Sequence, residues 1–146
     1  MSGTKMKEST MMIPILTLAV LMTSNLQAEA ATSLPTCPSK PNCVSSQAAD
    51  DHRIEPFKIS GEPKAAFEKL RNLLAERSDT KLVPSDETTI RVEFRTLLGF
   101  VDDGLFVLDP AGNVILVRSA ARLGYWDLGK NRRRLEEVRQ SFEKVP

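Results

Sequence analysis

"TIRVEFRTL", Thr89 to Leu97, decides the fold class: apolar Ile90, Val92 and Phe94 alternate with charged Arg91, Glu93 and Arg95. A period of two marks a strand with one dry face and one wet face, and half-covered strands of this kind belong to antiparallel sheets. The stretch that follows is consistent with this. "FVDDGLFVLD" (Phe100 to Asp109) leads through the turn "PAGN" (Pro110 to Asn113) into "VILVRSAAR" (Val114 to Arg122), a run of antiparallel strands. "KLVPS" (Lys81 to Ser85) is a short strand, and "IEPFKI" (Ile54 to Ile59) is a short edge strand, since Pro56 has no N–H to give to a ladder.

Two helices surround this run. In "KAAFEKLRNLLAER" (Lys64 to Arg77), Ala66, Phe67, Leu70, Leu73 and Leu74 fall on one helical face, with Ser60 or Gly61 as the cap and Pro63 in the first turn. In "NRRRLEEVRQSFEKV" (Asn131 to Val145), Leu135, Val138, Phe142 and Val145 recur at helical spacing, and Asn131 projects onto the same apolar stripe. The expectation is a two-layer α+β domain: an antiparallel sheet of about four to five strands with two helices on one face.

The amino terminus has the form of an export signal. Lys5 and Lys7 precede the apolar core Met11 to Met22, and Ala28-Glu29-Ala30 gives an A-x-A cleavage pattern. That core is too short for a span, which needs roughly 20 apolar residues. The expected layout is a cleaved signal over 1–30, an extended arm with a disulfide loop over 31–53, and one α+β domain over 54–146, in the periplasm with no membrane span after cleavage. The signal carries two lysines and two glutamates, so its removal leaves the net charge at +1. Nothing global would hold nucleic acid or an anionic membrane, and charge recognition must be local.

Both cysteines lie in "CPSKPNC", Cys37 to Cys43. A C-x₅-C spacing with Pro38 and Pro41 inside it, and no helical pattern after it, is not a redox motif. Two cysteines and the single histidine, His52, are too few for a structural zinc site, so neither metal nor cofactor is expected. An exported chain with two cysteines favours a disulfide, which for so small a loop adds about 2 to 2.5 kcal/mol. The rival is enzymatic, with Cys43 as nucleophile and His52 as its base.

The polar residues concentrate in "RSAARLGYWDLGKNRRR", Arg118 to Arg134, which holds the only Tyr and the only Trp. A helix starting at Asn131 would put three arginines in its first turn, against the macrodipole. An earlier start capped by Asp127, pairing with Asp102 and Asp103, or a bound anion would each compensate. A turn over Leu97 to Phe100 would bring Arg95 towards Asp102, giving a cluster of Arg95, Asp102, Asp103, Arg118 and Arg122 at one end of the sheet. Asp102 and Asp103, adjacent on a strand, point to opposite faces. Candidate binding residues are Arg95, Arg118, Arg122, Tyr125, Asn131 and Arg132, with Asp102, Asp103 and Asp127 orienting the arginines. No hydrolase triad and no phosphate loop is present.

"CPSKPNCVSSQA", "EFRTLLGFVDDG" and "VRSAARLGYWDLGKNRRRLEEVR" resemble the domain-of-unknown-function family 1499 over nearly the whole of residues 31–146. The resemblance implies a small bacterial protein, often exported, with plastid relatives and no established activity, and it supplies no catalytic residues. The family pattern has R-S-A-S-R and G-Y-S-D-L-G, where this chain has Ala121 and Trp126 in place of two serines. The functional expectation is a non-enzymatic binding or accessory domain that recognises a small anionic molecule or a protein partner through its arginines. A purely structural envelope factor with an apolar patch at Tyr125 and Trp126 is the remaining alternative.

Overall fold

The computed structural model describes residues 32–144, together with residues 1 and 3. Contacts divide the chain into Met1–Ala30 and Ala31–Pro146, and the expected export signal lies outside the described residues. The second unit contains β1 (Cys43–Ser45), β2 (Phe57–Lys58), α1 (Pro63–Glu76), β3 (Thr80–Val83), β4 (Thr89–Arg95), β5 (Val101–Asp109), β6 (Val114–Ala121) and α2 (Lys130–Lys144).

All strand pairs are antiparallel, in the order β1-β6-β5-β4-β3, with β2 also pairing β6. The fold is α+β as expected, but the sheet has six strands rather than four to five. The addition is β1, on the same edge as β2, which lies within the edge strand expected over Ile54 to Ile59. β1 binds Arg118 to Ala120, β2 binds Val114 and Ile115, and at three and two residues neither is long enough to show a period. β1 lies within the stretch expected to be an extended arm.

The alternation of β4 is carried across the sheet by register. Ile90, Val92 and Phe94 face inward and sit opposite Phe106, Gly104 and Asp102; Ile115, Val117 and Ser119 continue the same face on β6. These strands share one buried cluster with Phe67, Leu70 and Leu74 of α1 and Leu135, Val138 and Phe142 of α2. Gly104 is required at its position. A Cβ there would lie 2.5 Å from both Phe94 and Val92, so the missing side chain makes the space in which those two pack.

Helix α1 starts one residue later than a Gly61 cap implied and two later than a Ser60 cap. Glu62 is the cap, its carboxylate accepting from the Ala65 N–H at 2.7 Å, and Pro63 holds the first helical position. Between β4 and β5 the chain turns as expected. Thr96 and Phe100 exchange main-chain and side-chain bonds, with Gly99 at φ +81°.

Candidate functional site

The polar residues singled out in the sequence go to three separate places. Pleating alone accounts for the first division: Asp102 points into the core opposite Phe94, and Asp103 points out opposite Glu93.

The inward group is a buried network. Asp102 accepts from Arg134 Nη1 at 2.8 Å, and both are nearly inaccessible, at 4% and 5%. The same nitrogen reaches Asn131 Oδ1 at 3.4 Å, and the guanidinium lies 4.7 Å from the Phe94 ring centroid. Asn131 is fully buried. It accepts from the Ser119 hydroxyl and donates through Nδ2 to Asp127 at 2.8 Å and to the Asn42 carbonyl at 3.4 Å. Asn131 thus takes the buried hydrogen-bonding role that its place on the apolar stripe calls for, rather than the surface contacts also expected of it. Asp102 likewise pairs with Arg134 rather than Arg95, which lies on the other face of the sheet. Ser119 and Asn42 were not singled out by sequence, whereas Arg134 flanks the apolar stripe and could be expected to turn inward, and its bond to Asp102 is one of the pairings expected to compensate the arginines at the start of α2.

Asp127 anchors this network at the start of α2. One oxygen accepts from the Gly129 N–H and the other from the Asn131 N–H, each at 2.9 Å. The cap is where the sequence suggested, but the helix begins at Lys130, so Arg132 and Arg133 remain in the first turn. Main-chain carbonyls receive them. Arg132 donates to Arg53 at 2.6 Å and Asp51 at 2.8 Å, and Arg133 donates to Leu128 at 2.7 Å.

Tyr125 and Trp126 lie in a second place. With Asp127, Arg132, Asp51 and His52 they line a groove of about 390 Å³ against the disulfide loop. Cys37 and Cys43 are bonded, with Cα atoms 5.7 Å apart. The loop they close is tied down on both sides. Asn42 donates to the Gly124 carbonyl at 2.8 Å, and His52 Nε2 meets the Lys40 carbonyl at 3.0 Å. His52 Nδ1 meets Asp50 at 2.9 Å. Both partners of the ring are acceptors, an arrangement that favours hydrogen on both ring nitrogens. The Lys40 carbonyl first, and then Asp50, raise the His52 pKa. Cys43, bonded to Cys37, presents no free thiol for the nucleophile of the enzymatic reading.

The outward face of the sheet is the third place, and it brings together Arg95, Arg118, Arg122 and Asp103. Arg122 grips Asp103 through Nε and Nη2 at 2.8 to 3.1 Å, and Nη2 also reaches Glu93 at 2.9 Å. Arg95 takes the other Glu93 oxygen at 3.2 Å. The Arg122 guanidinium, more than Arg95, holds Glu93 below the usual carboxylate range. Arg118 is different. It stands opposite Leu105 and Ser45, half-buried, with Nε enclosed and without a hydrogen-bond partner. Burial pulls its pKa down, and only the charge of Asp103 acts the other way. Three guanidinium groups against two carboxylates leave this face with a surplus positive charge.

Among the described residues, no group of three or more His, Cys, Asp or Glu could hold a metal ion, and no helix is long and apolar enough to cross a membrane. The fold and the three polar groups define an antiparallel α+β domain with a disulfide-pinned loop. The chain belongs to the family described as Protein of unknown function (DUF1499), whose model matches residues 33–142. No curated protein and no solved structure matches it.

Proposed function

We propose that this is an exported, non-enzymatic binding domain that acts in the periplasm and captures an anionic small molecule, or an acidic group of a protein partner, on the outward face of its sheet. In this reading the molecule has two layers: α1 and α2 cover one face of the sheet, and the other face is the recognition surface. The observation that carries it is Arg118. A half-buried guanidinium whose Nε has lost water without gaining a partner leaves a donor unmet, at about 1–3 kcal/mol, and an oxyanion against it removes that deficit.

The neighbouring groups suit the role. Asp103 and Glu93 hold Arg122 and Arg95 in place without cancelling all three positive charges. The groove with Tyr125 and Arg132 is a separate surface, and the carbonyl-held Arg132 there would act on the position of the 51–53 segment. The test is recovery of the protein from its own compartment, scored by mass spectrometry for bound small molecules and proteins. Arg118→Ala and Arg122→Ala are expected to remain folded and to lose the captured species. Failure of both variants to fold would assign the arginines to the architecture and remove the proposal.

A further inference from the structure

Seven large apolar side chains are exposed at one end of the sheet. Leu97 (107%), Leu98 and Phe100 form the β4–β5 tip, and Leu123, Tyr125, Trp126 (66%) and Leu128 belong to the β6–α2 connection. The two loops are neighbours, because the Arg122 N–H bonds the Val101 carbonyl at 3.2 Å and Asp102 pairs with Ala121. Folding gains nothing by leaving so much apolar surface in water, and a concentration of exposed apolar side chains on neighbouring loops marks a site of association.

Cations border the patch. Lys130 and Arg133 share a hollow with Leu97 at the start of α2, where Asp79 and Glu137 also lie; those carboxylates pair with Arg77 and Arg134 rather than with Lys130 or Arg133. Three features select the occupant. Leu97 and Leu98 project from a tight turn, exposed to solvent, where they can enter the acyl boundary of a bilayer. Tyr125 and Trp126 are the residue types that settle at a bilayer interface. Lys130 and Arg133, with no salt bridge to a carboxylate among the described residues, complement phosphate headgroups.

We propose that this end of the molecule docks on the surface of a bilayer containing anionic phospholipid, with Leu97 and Leu98 in the acyl boundary, Tyr125 and Trp126 at headgroup level, and Lys130 and Arg133 on the phosphates. This is peripheral binding, not a span. The near-neutral chain makes it local, and it is independent of capture at Arg118.

Trp126 is the only tryptophan, so its emission reports this end alone, whatever residues 1–30 do. The full chain is mixed with phosphatidylcholine vesicles with and without phosphatidylglycerol. The expected result is a blue shift of Trp126 that saturates at roughly tenfold less lipid when phosphatidylglycerol is present. Leu97→Ser with Leu98→Ser, both at exposed positions and checked for unchanged unfolding, should abolish the shift. Lys130→Gln with Arg133→Gln should erase the difference between the two vesicles. No blue shift with the anionic vesicles overturns the proposal, and so does a shift that survives the leucine substitutions.

Discussion

At the scale of single residues, two adjacent aspartates have opposite roles. Asp102 is buried against Arg134 and Asp103 is exposed against Arg122. Removing one partner of a buried pair leaves an uncompensated charge inside the protein, at about 3–5 kcal/mol, whereas exposed pairs contribute little. Urea unfolding is expected to show Asp102→Asn losing about that much, with Asp103→Asn close to wild type. Equal effects would mean that the faces have been misassigned. The division itself was legible from alternation. What alternation could not show was the partner, since Arg134 is contributed from 32 positions along the chain and no local spacing links it to Asp102.

At the scale of elements, β5 and the disulfide loop each depend on one detail. Gly104 leaves room for Phe94 and Val92, and Phe94 in turn supports the Arg134 guanidinium. Gly104→Ala is expected to destabilise by about 1–3 kcal/mol through overpacking, read from the denaturation midpoint. The loop is sensitive to pH through His52. Its folded pKa lies above the ordinary 6.5, so the stabilisation is complete below the unfolded value and is lost as pH rises through the folded one. Asp50 has the opposite sign. Hydrogen bonds from the His52 ring and main chain lower its pKa from 3.8, so its contribution is present above the unfolded value and is lost as pH falls through the folded one. The stability gap between wild type and His52→Ala should therefore be wider at pH 5 than at pH 9. A gap that widened on the alkaline side would contradict the doubly bonded ring. The long periodic elements were legible in the sequence: α1, α2, β4, β5 and β6. The short strands β2 and β3 fall within "IEPFKI" and "KLVPS", both read as strands, but β1 was not legible, because three residues show no period and its pairing to β6 is decided by tertiary contact.

At the scale of the whole molecule, the sheet separates two kinds of polar chemistry that the sequence places side by side. Between Arg118 and Arg134 the chain passes from the outward face, across an exposed apolar loop, to the buried start of α2. One arginine-rich stretch thus supplies a surface cluster, a groove and a core network. The expected single cluster was legible as a set of residue types, but not as three sites, because the assignment depends on which side of β6 each residue leaves and on where α2 begins. The central claim is that the outward face takes an anion at Arg118. Its most direct test is a titration of the protein with inorganic phosphate, followed by the side-chain Nε–H resonances of the arginines. The expected result is a saturable shift confined to Arg118 and its neighbours Arg95 and Arg122, lost in Arg118→Gln while the fold is retained. A flat titration at Arg118, or one unchanged in Arg118→Gln, would contradict it.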